Sequence, residues 1–490
     1  MALHAVFLVG AGAPRLLAAL RRGRSVWTAD LAGHDDSDPE VRERFAAALR
    51  DREGRPPDAH AAGLALATAP AALVPALASA FPGARFVLLD GLRDDLAPAR
   101  QVAVDGEALL ARPRAVLIEL CAWLGTDYDQ ALLGPLEQAA REVRAGQPLA
   151  SGATDSVPET LTRLGGSLLV STYQAGKLVC ARAQPDGTLN THFRDHDKPM
   201  GLALGPDGRL ALGTRTEVWD YRDVPDAAAK LEPPDVHDAC FVLRNRHVTG
   251  DVAIHEMGFA GDELWIVATG FSCLATLDAD HSFVPRWHPS WITELAPGDR
   301  CHLNGLEIVD GVPRYVTALG TGDTPGSWRA GKATGGVLLD VPSGEVVASG
   351  LSMPHSPRWH DGELLVLESG RGHLSRVDPA TGETTCVAEL PGFTRGLALV
   401  GRTAFVGLSQ IRESSTFGDL PLTQRLRERQ CGVWMVDLDS GETTGLLRFA
   451  DLVQEVFDVL WLPDRRFPEI AEVGSVSTSD TYVLKAGGLR

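Results

Sequence analysis

Between about residues 160 and 465 the chain repeats one hydropathic phrase: an apolar run opening on a polar or small residue, a tight turn, and a second apolar run. Met200-Gly201-Leu202-Ala203-Leu204 turns at Pro206-Asp207-Gly208 into Arg209-Leu210-Ala211-Leu212. Phe393-Thr394-Arg395-Gly396-Leu397-Ala398-Leu399 turns at Gly401 into Thr403-Ala404-Phe405-Val406. Looser copies open near His255, Asn304 and His355, and a damaged one opens at Asp458. Third and fourth strands follow, as in His373–Asp378, a Thr381-Gly382-Glu383 turn and Thr385–Ala388. Short strands joined by glycine-containing turns are hairpin signals. A strand repeat of this period predicts a propeller. Steps of 54, 49, 51, 40 and 63 residues separate Gly201, His255, Asn304, His355, Arg395 and Asp458, and loop insertions account for the spread.

The copy at Asp458 lacks a good second strand, whereas Ser167–Thr172, Lys177–Ala181 and the Asp186-Gly187 turn read as strands two to four of a blade without its first. Joining the two closes the ring and removes an open sheet edge. The expectation is a six-bladed all-β propeller over residues 160–465 with its last blade built from both ends, followed by an extension over 466–490.

Residues 1–150 have a different texture. Strand-like 5–9, 25–29 and 84–89 alternate with helical runs at 14–22, 39–52, 70–81, 105–124 and 128–144, which predicts a small α/β domain on a parallel sheet. The phrase Phe81-Pro82-Gly83-Ala84-Arg85-Phe86-Val87-Leu88-Leu89-Asp90-Gly91-Leu92-Arg93-Asp94, the opening strand with its Gly10-Ala11-Gly12-Ala13 turn, and Leu120-Cys121-Ala122-Trp123-Leu124-Gly125-Thr126-Asp127-Tyr128 resemble the sulfotransferase superfamily over roughly 4–136. The resemblance implies a P-loop fold. The loop itself has Ala13-Pro14-Arg15-Leu16-Leu17 where hydroxyls and a glycine would let backbone amides approach a phosphate. At the second site Asp90 or Gly91 replaces the arginine of the family phrase. The expectation is a degenerate, non-catalytic domain, with no nucleotide bound, that serves as a docking module for a protein partner.

Composition narrows the classes further. A net charge of −18 over 490 residues argues against nucleic acid or an anionic membrane as partner. Seven scattered cysteines without a CxxC pair, and a start without a signal-peptide pattern, point to a cytoplasmic protein with reduced thiols.

Strand starts in a core are usually apolar, yet here they carry imidazoles, an amide, a guanidinium and a carboxylate, about one per blade. His302 lies two residues before Asn304, so strand alternation places both on one side. His255, His302 and His355 meet the count for a three-imidazole metal centre open to Zn, Mn, Fe or Cu, with neighbouring acids orienting the second ring nitrogens. By fold analogy, lactonases, lyases and amidating lyases hold a metal on a propeller axis. The alternatives are a metal-free polar pocket and histidines that only satisfy backbone carbonyls. His255, His302, His355 and Arg395 are the candidate catalytic residues, one imidazole as general base. Asn304, Arg358, Asp458 and Trp328 are the candidate substrate-binding residues, the arginines for an anionic group. Asp458 is also a candidate partner for Arg395, Ser356 a weak candidate nucleophile, and Trp287 a second stacking surface. Segments 221–250, 320–329 and 410–431 are candidate loops around the pocket.

The runs Cys301-His302-Leu303-Asn304-Gly305-Leu306, Arg314–Gly320, Gly350-Leu351-Ser352-Met353-Pro354-His355-Ser356-Pro357-Arg358 and Pro391-Gly392-Phe393-Thr394-Arg395-Gly396-Leu397 resemble a bacterial family of unknown function over about 160–470. The resemblance implies a propeller-like fold and brings no activity with it. The function expected is a bacterial enzyme of small-molecule or peptide metabolism with lyase, hydrolase or isomerase chemistry at the channel mouth. The alternatives are a ligand- or partner-binding scaffold and a sulfotransferase with an accessory propeller.

Overall fold

The structure is a computed structural model. It describes residues 151–410, 420–450, 453–473 and 481–483, together with the backbone of five strands between His4 and Ala103. The chain divides into two units, Met1–Gln147 and Pro148–Arg490.

In the first unit the described strands form one parallel sheet in the order Val26–Asp30, Leu64–Ala69, His4–Val9, Arg85–Leu88, Gln101–Ala103. The strands Leu64–Ala69 and Gln101–Ala103 are absent from the expected elements. The loop at 10–17, the expected helices, Asp90-Gly91 and the 120–128 phrase lie outside the described residues.

The second unit is a propeller of six antiparallel blades. Their innermost strands are Asp458–Pro463, Leu202–Gly205, Ile254–Ala260, Leu303–Val309, Pro354–His360 and Phe393–Val400. The closing blade pairs Asp458–Pro463 with Gly166–Ser171, then Lys177–Ala183 and Leu189–Asp195. Two three-residue strands widen the ring beyond 160–465. Ser151–Ala153 adds an edge to the blade that opens at Phe393, and Pro468–Ile470 adds one in parallel to the blade that opens at Leu202. Both are too short to show alternation, which explains why the pattern misses them.

The core lies between blades, as expected for sheets packed face to face. Leu169, Leu178, Leu210, Leu212 and Phe241 fill one interface. Val267, Leu274, Leu303, Val316 and Leu339 fill another, and Leu365, Leu374, Val406, Leu408 and Val436 a third. Each such side chain contributes about 1.5–3 kcal/mol through burial. Hydroxyls reinforce these seams. At the end of a blade's second strand or just beyond it, Ser171, Thr269, Ser369 and Ser409 donate to the carbonyls of Met200, Leu303, Thr394 and Val456, the residues that lead into the next blade.

The inner strands are not uniform. Register shifts interrupt four of them, at Ile254/Met257, Leu303/Gly305, His355/Arg358 and Thr394/Leu397. The other two, carrying Asp458 and following Gly201, pair regularly with their neighbours. A bulge bends a strand and re-aims the side chains on it. His255, His355 and Arg395 sit at the shifts of three of these strands, Asn304 sits at the shift of the fourth, and His302 immediately precedes that strand. Gly201 has a packing reason instead: a Cβ there would meet the His255 carbonyl oxygen at 2.2 Å.

Among the described residues no helix is long and apolar enough to cross a membrane. The six described cysteines are free.

Candidate metal centre

His255, His302 and His355 converge, their candidate ligand nitrogens all within 4.8 Å of one another. The His255 ring lies 4.8 Å from that of His302 at 88° and 6.4 Å from that of His355 at 20°. Each ring is fixed through Nδ1. In His255, Nδ1 lies 3.1 Å from the Ala253 carbonyl and 2.9 Å from Thr269 Oγ1. In His355 it lies 2.9 Å from the Met353 carbonyl and 2.8 Å from Ser369 Oγ. Thr269 and Ser369 use their own hydrogens on the next blade, so both nitrogens carry the proton and donate it. Ala253 and Met353 have positive φ, 53° and 49°, which turns their carbonyls back toward the ring two residues on.

His302 is held differently. Its Nδ1 lies 2.8 Å from Asp299 Oδ1, and Asp299 Oδ2 accepts Trp328 Nε1 at 3.0 Å. His302 itself has φ 52° and precedes its strand, so left-handed backbone and the following bulge place it on the axis rather than strand alternation. Of the three orienting groups only Asp299 is the acid that the sequence led us to expect. His302 Nδ1 faces the Asp299 carboxylate, and in His255 and His355 Nδ1–H is engaged so that Nε2 keeps its lone pair. This is the tautomer that second-sphere partners impose on metal-ligating histidine. Burial holds His255 and His355 well below the ordinary imidazole range, and the nearby Arg395 charge adds to the effect. Both are therefore neutral.

One aromatic ring accompanies each imidazole: Phe457 at 5.3 Å from His255, Trp328 at 4.6 Å from His302 and Phe393 at 6.3 Å from His355. Trp328 is a buried partner of Asp299 and a wall beside His302. It packs with Leu319, Met353, Phe393, Leu420 and Leu422, so parts of two expected pocket loops, 320–329 and 410–431, meet here. Residues 411–419 lie outside the described residues. The third segment, 221–250, mostly forms the outer part of its own blade through Glu217–Asp223 and Ala239–Val248. Trp287 closes the outer strand Val284–Trp287 and packs against the core rather than the axis.

Arg395 stacks its guanidinium 3.4 Å from the centre of the Phe457 ring, with Nη1 3.8 Å from Glu455 Oε1. Its close acidic partner is therefore Glu455. The Asp458 carboxylate instead accepts the Leu202 and Val459 amides, each at 2.8 Å. Asn304 is fully buried, and its Oδ1 accepts the Thr317 hydroxyl. Thr317 Oγ1 in turn accepts Gly305 N at 3.0 Å, which fixes the orientation of the Asn304 amide. Ser356 Oγ accepts Gly396 N at 3.1 Å and is occupied by the backbone.

Further along the channel, Arg358 is consumed by the protein: Nη1 reaches Glu256 Oε2 at 3.1 Å and Nε donates to the Leu397 carbonyl at 3.0 Å. Glu256 Oε2 also accepts Leu306 N at 2.9 Å. Arg358, Glu307 and Asp458 line a separate cavity of about 340 Å³ with Trp359, His360 and Trp461, near the other ends of the inner strands. Burial pushes Glu307 and Asp458 each up to about 7, with Arg358 opposing in both cases. The sequence reading missed Asp299, Thr269, Ser369 and Phe457. A signal was present for two of them, because Thr269 and Ser369 each follow their histidine by 14 residues.

A profile described as a domain of unknown function, DUF4915, matches residues 155–471, and the chain belongs to that family. No curated protein matches the chain. Among solved structures, a chain from the crystal structure of a nidogen/laminin complex is similar at a TM-score of 0.41 and 10% identity, over 61% of this chain and 100% of that one.

Proposed function

We propose that this DUF4915 protein is a metal-dependent enzyme, its centre formed by His255, His302 and His355 at one mouth of the propeller channel. One observation carries the reading: three imidazoles on successive blades, each with Nδ1 at hydrogen-bonding distance from an oxygen, converge with their ligand nitrogens within 4.8 Å of one another. Bonds of about 2.1 Å in a tetrahedral site put ligand nitrogens about 3.4 Å apart, so small ring rotations complete the set. Three imidazoles without a carboxylate suit Zn, Mn, Fe or Cu. Such a metal, when bound, supplies Lewis acidity and an acidified water.

The chain's own residues do the rest. Asp299, Thr269, Ser369 and the Ala253 and Met353 carbonyls hold the imidazoles in one tautomer and orientation. Trp328, Phe393 and Phe457 keep water from the rings, and Arg395 sets a positive field beside them. This arrangement supports lyase, hydrolase or isomerase chemistry on a small molecule.

The test is the metal content of purified full-length protein by elemental mass spectrometry, beside a His255→Ala/His355→Ala double variant. About one transition metal per chain in the wild type, lost in the folded variant, is the expected result. No metal after reconstitution with Zn, Mn, Fe and Cu in turn would overturn the reading.

A further inference from the structure

Two buried donors on residues at the starts of inner strands have no acceptor among the described residues: Arg395 Nη2 and Asn304 Nδ2. Leaving a buried N–H unmatched costs about 1–3 kcal/mol, so two in one ring of strand starts call for an explanation. Arg395 is held by its flat face on Phe457 and by a 3.8 Å approach to Glu455, which leaves one edge of the fork open. The same Phe457 ring lies beside His255, so that edge is next to the centre.

Charge points the same way. The imidazoles bring no negative charge to a dication. The described carboxylates around the centre and Arg395 are already engaged: Asp299 by His302, Trp328 and Arg329, Glu455 by Arg395, Glu256 by Arg358 and the Leu306 amide, and Asp458 by the Leu202 and Val459 amides. A dication beside the Arg395 guanidinium therefore leaves the mouth short of an anion. Guanidinium pairs bidentately with oxyanions, carboxylate among them. The buried rings of Phe457, Trp328 and Phe393 make the surroundings of the centre apolar.

We infer that the substrate is a small carboxylic acid, its carboxylate held by Arg395 beside the three-imidazole centre and a second oxygen served by Asn304 Nδ2. The inference rests on the metal reading of the same site. It makes Arg395 a substrate-binding residue and assigns Asp458 and Arg358 no part in recognition.

Co(II)-loaded full-length protein separates the two claims. Its visible spectrum reports the metal site, and titration calorimetry reports binding of acetate, benzoate, inorganic phosphate and the uncharged control benzamide. The expected result is that a carboxylate of this panel binds and perturbs the Co(II) bands while benzamide does not. Arg395→Met should take up Co(II) normally but bind the carboxylate at least about tenfold more weakly, from the loss of one charged hydrogen bond. Arg395→Lys, which keeps the charge but not the fork, should fall between. Equal binding of benzoate and benzamide, phosphate binding more tightly than either carboxylate, no binding by any carboxylate of the panel, or unchanged affinity in the methionine variant would each overturn the inference. The benzoate and benzamide comparison decides the matter even if no variant folds. A wild type that takes up no Co(II) would count against the metal reading instead.

Discussion

Asp299→Asn preserves shape while removing one acceptor. The carboxylate serves two N–H donors at once, His302 Nδ1 at 2.8 Å and Trp328 Nε1 at 3.0 Å. An asparagine has a single acceptor oxygen, so its NH2 must face one of the two. If it faces Trp328, a buried indole N–H loses its partner. If it faces His302, the imidazole responds by moving its proton to Nε2, and the lone pair that a metal needs is gone. The second outcome keeps every hydrogen bond in the metal-free protein, so thermal stability without metal should change little. Metal binding must then reverse the tautomer, and affinity should fall about 10–100-fold, which is about 1.4–2.7 kcal/mol. The assay is competition for Co(II) or Zn(II) against a chromophoric chelator, run beside a melting curve of the metal-free protein. Thr269→Ala and Ser369→Ala are the controls. Each histidine keeps its backbone carbonyl acceptor, so metal affinity should hold, while loss of the bond to the next blade should cost about 1 kcal/mol of stability. An Asp299→Asn affinity within twofold of wild type, or an equal loss in the two alanine controls, would refute the tautomer argument.

Two more expectations concern the scaffold. Gly201→Ala places a methyl 2.2 Å from the His255 carbonyl oxygen, a backbone atom that cannot step aside, so melting temperature and metal affinity should drop together. A variant that loses neither would mean that the inner strands separate at small cost. Glu307, raised to about 7, keeps a proton in the folded chain that the unfolded chain has already lost. Stability should therefore fall as pH rises from about 4.5 toward 7, by at most about 3 kcal/mol for this group, and Glu307→Gln should flatten the decline. Asp458 contributes a similar slope of its own, so some decline should persist in the variant; parallel melting curves for the two proteins between pH 5 and 7.5 would contradict the assignment.

The ring of histidines was legible because the fold is a repeat. Aligning the turns superposes the strand starts, and polar residues there stand out against apolar neighbours. What held each ring was less legible. Asp299 sits in a loop three residues before His302, where spacing alone gives no warning, and the two hydroxyls read as ordinary strand ends until their common offset from a histidine is noticed. Arg358 and Asp458 looked like substrate ligands because they are polar and near strand starts. For Arg358 a bulge decides the matter: the shift between His355 and Arg358 leaves the histidine at the mouth and Arg358 at the buried glutamates, and no hydropathy pattern marks such a shift; the Asp458 strand pairs regularly, and its carboxylate accepts two backbone amides. The short strands at 151–153 and 468–470 escaped for a simpler reason, since three residues carry no period. The resemblance of residues 4–136 to sulfotransferases rests on phrases that lie almost wholly outside the described residues.

The joint between Asp458–Pro463 and Gly166–Ser171 has a consequence for the order of events during synthesis. While the chain emerges from the ribosome, its early strands 166–195 must wait for nearly 300 residues before their inner partner exists. Until then the arc of blades has two raw ends, each able to recruit the wrong strand. The aromatic platform under Arg395 belongs to the same late segment, because Phe457 immediately precedes the joining strand. The three imidazoles can therefore come together before the guanidinium beside them is fixed. A metal centre of the kind proposed would thus mature ahead of the proposed carboxylate site, and the last inner strand delivered would both seal the ring and complete that site.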